Sequence, residues 1–365
     1  MTGISESDWE NAALDILSEP LLWQPIAGEK IAPGSGERET WDELLIRPRL
    51  LDAMRRLNPD VPVSYLQQAI AEIAAPKSLD AITENHRIHD YLTGGYPLTY
   101  IDDNGIEQSP RIRVLGTEPE QNDWLAVNQV TIRQGDRHRR FDIVLYVNGM
   151  PLSIIELKKA GSASTGVAPA HAQLQTYLRE FPTAFRFCVF TLASDGIDAK
   201  YGTPFTPLNH FAPWNVDDDG NRLSQPRIDD GVDVVPLDDA LNGLYNQERF
   251  LQLVRNYTAF DEGSNGLVKR IAKPHQYFAV TKAVGSTIQA VETNGKAGVV
   301  WHTQGSGKSM EMELYVNLVT RQPKLKNPTV IVVTDRNELD GQLFQTFKRS
   351  LLLADHPVQV KERAQ

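Results

Sequence analysis

Three residues in one short stretch have the types that phosphodiester chemistry needs: Asp142, Glu156 and Lys158, in "FDIVLYVNGMPLSIIELKKA" (141–160). Each acid interrupts an apolar run with strand character, and the lysine stands two positions after the second acid. The run breaks at Asn148-Gly149, a dipeptide suited to two-residue hairpin turns. That turn lies roughly midway between the acids, so a hairpin can bring them onto one face. Residues i and i+2 of a strand share a face, which puts Lys158 beside Glu156. Two close carboxylates repel and need a cation, and Mg²⁺ suits two carboxylates plus waters. Lys158 beside the metal-bound water can orient or activate it, or neutralise charge developing on a phosphodiester. Glu-x-Lys alone is a weak pattern, and two solvated strand-end charges would look the same. Asp198–Lys200 ("DAK") and Pro59-Asp60 also match parts of it, but neither lies in an apolar strand with a hairpin partner.

Other residues gather around this trio in the sequence. Gln173 and Tyr177, in "AHAQLQTY", are i and i+4 and share one helix face, from which they can touch DNA or buttress Lys158. Glu84, in "AITENHRIHDY", is a candidate third metal carboxylate from a preceding helix; a solvated helix charge is the competing reading. Arg137, Arg139 and Arg140 directly precede Asp142 and read either as a phosphate-binding rim or as a solvated basic strand edge.

A second chemical signal lies far downstream. "GSGKS" (Gly305, Ser306, Gly307, Lys308, Ser309) falls between the apolar run "GVVW" and a helical pattern. Backbone N–H groups at a Gly-rich helix start can surround phosphates. Lys308 would reach the β/γ-phosphates of ATP and Ser309 would ligate Mg²⁺. Position 302 is His where the strict loop pattern has its first Gly. Gln276, upstream in "KPHQYFAVTKAV", has an amide that can read an adenine edge.

These residues need elements to position them. Helical patterns cover 1–30, 49–58, Ser64–Ala74, Ser78–Gly95 and Ala168–Pro182. Ser64 reads as an N-cap, and Gly94-Gly95 and Pro182 read as stops. Strand patterns cover "RIRVLG", "DWLAVNQVTI", "FDIVLYVNG", "PLSIIELK" and the fully apolar "AFRFCVFTLASDG", expected to be central. A helical connector follows, then "DEGSNG" (261–266), the best linker candidate. Beyond it, "AGVVWHTQGSGKSMEMELYVNLVTR" and "NPTVIVVTDRNELDGQLFQTF" read as strand, loop, helix, strand, helix, a parallel unit. The expectation is an α/β protein with a first domain over 1–260 and a second over 261–365.

Bulk composition fits that picture. The 365 residues are 41% hydrophobic with a formal net charge of −10. This disfavours a nucleic-acid coat over the whole surface and leaves room for a local basic groove. One cysteine, Cys188, excludes a disulfide framework and suits a reducing, cytoplasmic setting; it reads as a small core hydrophobe. The N-terminus lacks the basic and apolar regions of a signal peptide, and no membrane span is expected.

In their order, "FDIVLYVNGMPLSIIELKK", "AHAQLQTY", "SDGIDAKYGTPFTPLNHFAPW", "WHTQGSGKSM" and "VVTDRNELDGQLFQTF" resemble the N-terminal part of the restriction (motor) subunit of type I restriction–modification enzymes. The likeness runs from about Glu84 to Phe347 and leaves 1–60 outside. It implies a PD-(D/E)xK nuclease domain of the RecB-like branch, followed by the start of a RecA-like superfamily 2 helicase lobe. Asp142, Glu156 and Lys158 would be the nuclease triad, and Gln173 and Tyr177 the QxxxY element. Gly305, Gly307, Lys308 and Ser309 would be motif I, and "VVTDR" motif Ia. The implied cofactors are Mg²⁺ and ATP. The implied partners are double-stranded DNA and the methyltransferase and specificity subunits. No DEAD- or DExH-like box and no second motor lobe follow, so the chain reads as a fragment not expected to hydrolyse ATP alone. A RecB-type repair helicase–nuclease, a stand-alone Mrr-like nuclease and a non-catalytic docking fragment are the competing readings.

Overall fold

The computed structural model describes residues 5–159, 166–225, 227–229, 232–264, 266–335, 337–353 and 357–359. The chain forms two compact units, one of residues up to Asp217 with Arg222–Arg255, the other of Asp218–Asn221 with the residues from Asn256 onward.

The first unit is built on a mixed six-stranded sheet. Its strands are β1 (Gln24–Ala27), β2 (Trp124–Gln134), β3 (Arg137–Val147), β4 (Met150–Leu157), β5 (Phe190–Ser194) and β6 (Ala199–Gly202), side by side in that order. β2–β3, β3–β4 and β5–β6 pair antiparallel; β1–β2 and β4–β5 pair parallel. A parallel pair needs a crossover, and α5 (Ala168–Glu180) supplies it between β4 and β5. Around the sheet lie α1 (Glu6–Ser18), α2 (Arg47–Leu57), α3 (Val63–Ala74), α4 (Ala81–Gly94), α6 (Pro236–Tyr245) and α7 (Gln247–Asn256). Of the apolar stretch expected as a central strand, Phe190–Ser194 is internal to the sheet while Ala184 and Phe185 belong to a 3-10 turn, Pro182–Phe185; Cys188, between them, is fully buried in the core with Val144, Ile154, Leu174 and Phe185.

The Asn148-Gly149 turn forms as its residue types require. Both have positive φ, 53° and 76°, the pattern of a type I′ hairpin. A side chain at 149 would lie 2.3 Å from the Ile46 carbonyl, so only glycine fits.

Several expectations are corrected. Residues 19–30 are not α-helical: Pro20 and Pro25 lack the N–H that a helix interior needs, and the chain enters β1 and then a single 3-10 turn, Gly28–Ile31. α3 begins at Val63 with Pro62 at its N-cap, so Ser64 is not the cap. "RIRVLG" contributes only Arg111–Ile112, paired with Tyr96–Pro97. Of 261–266, expected as a linker, residues 261–263 end β7 (Thr258–Gly263) and Gly266 opens β8 (Gly266–Ile271), which pair antiparallel; Asn265 lies outside the described residues. Gly serves a strand end as well as a linker, and only the ladder distinguishes them. The units divide at Arg255/Asn256 rather than at 260/261.

The second unit contains that hairpin with α8 (Pro274–Val291), α9 (Lys308–Thr320) and α10 (Asn337–Arg349). Its expected parallel strands are not formed. "GVVW" and "VIVV" carry no ladder among the described residues, and Trp301 and Val333 are 89% and 87% exposed. A parallel strand needs bonded neighbours and cover on both faces; the described residues supply neither. Arg336, at the end of the "VVTDR" stretch, lies outside the described residues.

Candidate active site

The hairpin of β3 and β4 places the two acids opposite each other. Ile143 pairs with Ile155, so Asp142 and Glu156 are the next pair along the ladder and share a face. Asp142 Oδ2 accepts the Leu157 backbone N–H at 2.7 Å. Glu156 is fully buried; its Oε1 accepts from Lys158 Nζ at 2.7 Å, and its Oε2 has no partner among the described residues. Lys158 Nζ also donates to the Leu157 carbonyl at 3.0 Å, and its backbone N–H extends the sheet to the Ser194 carbonyl.

Electrostatics follow from burial. Burial pushes the Glu156 carboxyl up to about 8; the Asp142 charge adds to this, and Lys158 opposes it. Asp142 is also raised, by burial first, against the pull of the Leu157 N–H. Burial alone would lower the Lys158 ammonium, but the Glu156 carboxylate outweighs it and raises it. Without a cation, this is a site with too much negative charge for its surroundings.

A divalent cation fits these residues. Glu156 Oε2 is an orphaned buried acceptor, and a hard cation prefers carboxylate oxygens. Among the described residues no three His, Cys, Asp or Glu side chains come close enough to hold an ion together. A cation here would have two protein carboxylates, with water and substrate oxygens completing its shell.

From α5, Gln173 Nε2 donates to Tyr177 Oη in a short contact, and Tyr177 Oη donates to the Arg140 carbonyl at 3.2 Å. The Tyr177 ring packs edge-on against Phe141, and burial pushes its phenol up. These bonds brace β3 two residues before Asp142; among the described residues they do not reach Lys158.

The phosphate loop in the second unit has glycines where its backbone turns left-handed, Gly305 (φ 80°) and Gly307 (φ 88°). Ser309 follows Lys308 in the first turn of α9. Lys308 Nζ folds back onto the carbonyls of His302 (3.1 Å) and Thr303 (2.8 Å). Gln276 is buried and uses its amide locally, donating to the Ser306 carbonyl at 3.2 Å and accepting from Lys273 N–H at 2.9 Å. It therefore holds the loop here. His302 Nδ1 meets Glu311 Oε1 at 2.7 Å, tying the start of the loop to α9.

Residues 3–210, more than half of the chain, match the family model described as "Type I restriction enzyme R protein N terminus". The chain belongs to this family. Residues 275–365 match the SWI2/SNF2 ATPase model. The HindI type I restriction enzyme endonuclease subunit of Haemophilus influenzae is 36% identical over 99% of this chain and 34% of its own length. A protein whose name is also that of a type I restriction endonuclease subunit, from Methanocaldococcus jannaschii, is 27% identical over 97% of this chain and 35% of its own. The chain thus spans about a third of the length of these curated relatives.

In this R-protein chain, Glu84 does not join the acids. It pairs with Arg87 at 2.6 Å and accepts the Lys77 N–H at 2.9 Å. Burial works against its charge, yet these partners hold its carboxyl below the usual range. The Arg137–Arg140 end of β3 is exposed, and Arg139 pairs with Glu180 at 2.9 Å. Two acids that the sequence reading missed come from α1. Lys158 Nζ lies 4.0 Å from Glu6. Glu10 is buried and takes Gln129 Nε2 on both carboxylate oxygens at 2.5 Å. Burial raises the Glu10 carboxyl, Gln129 opposes this, and the Asp142 charge adds to it. A signal was present: Glu10 falls on the face of α1 that buries Trp9, Ala13 and Leu17, where an acid is out of place.

Proposed function

We propose that this chain carries the Mg²⁺-dependent DNA-cleaving site of a type I restriction enzyme, on a PD-(D/E)xK nuclease fold, with part of an ATP-driven double-stranded DNA translocase. The observation that carries this is the opposition of Asp142 and Glu156 with one buried, unpartnered Glu156 oxygen and Lys158 alongside. A buried carboxylate oxygen without a donor is costly unless a cation completes it.

When bound, Mg²⁺ would acidify a coordinated water and polarise the scissile phosphate. Asp142 and Glu156 would hold it. Lys158, now bonded to Glu156, would turn its ammonium to the attacking water or to a phosphate oxygen. Tyr177 and Gln173 fix the strand that carries Asp142. Arg137, Arg139 and Arg140, on the exposed end of the same strand, would neutralise duplex phosphates.

In the second unit, Lys308 would leave the His302 and Thr303 carbonyls for the phosphates of ATP, with Gly305, Ser306, Gly307 and Ser309 around them. The SWI2/SNF2 ATPase match over 275–365 supports this assignment. The relatives are named as endonuclease subunits, which supports assembly with further subunits; the methyltransferase and specificity subunits belong to this proposal. A cytoplasmic setting belongs to the same reading; no described helix is long and apolar enough to cross a membrane.

The test is Asp142→Asn in the full-length protein assembled with its partner subunits. Cleavage of circular DNA should be lost while DNA-dependent ATPase activity persists. Cutting at the wild-type rate would overturn the assignment.

A further inference from the structure

Gln129, Asp142 and Glu156 lie at one level across three adjacent strands. Asn128 pairs with Ile143 and Val130 with Phe141, which leaves Gln129 across from Asp142. Ile143 pairs with Ile155, which leaves Asp142 across from Glu156. Gln129 itself breaks the ladder with a left-handed backbone, φ 54°. Gly28 makes room for that break, since a side chain there would lie 2.5 Å from the Gln129 carbonyl. Left-handed backbone at a residue other than glycine is strained and persists where the surroundings enforce it. Here the side chain of the strained residue is aimed at one partner, Glu10, 119 positions away in sequence. α1, which carries Glu10, packs on β1, β2 and β4.

We infer that Glu10 is a positioning residue of the cation site, holding a water of the ion's outer sphere rather than the ion itself. This rests on the reading of Asp142 and Glu156 as the cation's ligands. Two observations separate the outer role from direct ligation. Both Glu10 oxygens already accept from the Gln129 amide. No three acids or histidines among the described residues are close enough to share one ion. A carboxylate has about four acceptor positions, so Glu10 keeps capacity for a metal-bound water after Gln129 is satisfied. Partners behind the ligands commonly orient the ligands and waters of a metal site. The neutral amide of Gln129 leaves the Glu10 charge uncancelled in a buried place. The independent sign that something cationic belongs here is the fully buried, unpartnered Glu156 Oε2.

The competing account makes Glu10–Gln129 a tether that fastens α1 to the sheet. The two accounts differ in what Mg²⁺ does. The nucleotide-free chain is titrated with Mg²⁺ by calorimetry, and its thermal unfolding is followed with and without the ion, for wild type, Glu10→Gln, Gln129→Ala and Asp142→Asn. The outer-sphere role predicts that Glu10→Gln binds Mg²⁺ about tenfold more weakly. Its metal-free unfolding midpoint should be unchanged or raised, because a repelling charge is gone. Gln129→Ala, which leaves α1 intact, should weaken Mg²⁺ in the same direction by a smaller factor. It keeps the inference testable if Glu10→Gln fails to fold. Wild-type Mg²⁺ affinity in both variants, with Asp142→Asn no longer binding, overturns this inference and leaves the cation site standing. Undiminished binding by Asp142→Asn overturns the cation site and this inference with it.

Discussion

The two chemical regions of this chain are equally recognisable as sequence and differ as structure. In the first unit Asp142, Glu156, Lys158 and Tyr177 sit on or against a completed ladder. Asp142 and Glu156 are register partners on internal strands, and Tyr177 is bonded to the backbone of one of them. In the second unit the phosphate loop follows a segment with no ladder, and Lys308 is bonded to its own loop. A hairpin site is complete once its two strands pair. A phosphate loop is set by a parallel sheet whose strands come from separate stretches of chain.

The largest effects should break this comparison cleanly. Asp142→Ala and Glu156→Ala should abolish DNA nicking in the assembled enzyme and spare ATP hydrolysis. Lys308→Ala should stop ATP hydrolysis and, through it, restriction, while Mg²⁺ binding by the nuclease unit persists in calorimetry. If Lys308→Ala removed that Mg²⁺ binding too, the two regions would not be separate sites.

The pH dependence of the metal-free chain comes next. Glu156 has a folded value of about 8 against an ordinary 4.5. Below the ordinary value both states are protonated and the group has no net effect. Between the two values the unfolded chain releases a proton that the folded chain keeps, so stability falls as pH rises. The loss should amount to a few kcal/mol by pH 8, seen as a falling denaturation midpoint. Glu156→Gln should flatten that slope, and Mg²⁺ should reverse it. A metal-free midpoint that does not fall over this range would remove the electrostatic argument for a cation.

Tyr177→Phe should slow cleavage without abolishing it. The hydroxyl bonds a carbonyl and an amide, both neutral, so the loss is about 0.5–1.5 kcal/mol, at most around tenfold in rate. A single-turnover nicking assay at saturating Mg²⁺ measures it; a loss as large as that of Asp142→Ala would make Tyr177 part of the chemistry. Smallest of all, Glu84→Gln should leave the nicking rate unchanged and cost about 1 kcal/mol of stability, since its bonds run to Arg87 and the Lys77 backbone. A nicking defect would return Glu84 to the site.

Legibility tracked sequence distance. The hairpin was readable because Asn148-Gly149 joins strands that adjoin in the chain. The register of that turn would set Asp142 across from Ile155, and a bulge at Leu152, where pairing shifts from Tyr146/Pro151 to Leu145/Ser153, brings Glu156 level with Asp142 instead. The i, i+4 spacing of Gln173 and Tyr177 was readable for the same local reason, and their bond to each other forms. Their outside partner, the Arg140 carbonyl, belongs to another element and was not.

The sequence by itself determined that a hairpin turns at Asn148-Gly149, where the phosphate loop sits, and which family the chain resembles. Those depend on turn chemistry and on motif order, both written in short stretches. Which residues face each other past the bulge at Leu152 was decided by the ladder. Only the tertiary structure decided which distant acid approaches Asp142. Helix pattern marks Glu10 and Glu84 alike as acids on helices, but α1 packs across β2 while Glu84 is bonded to Arg87 and Lys77. Packing also decided that 261–263 and Gly266 belong to paired strands and that the apolar runs of the second unit find no ladder among the described residues. A strand is made by its neighbours' hydrogen bonds, and no local pattern contains the neighbours.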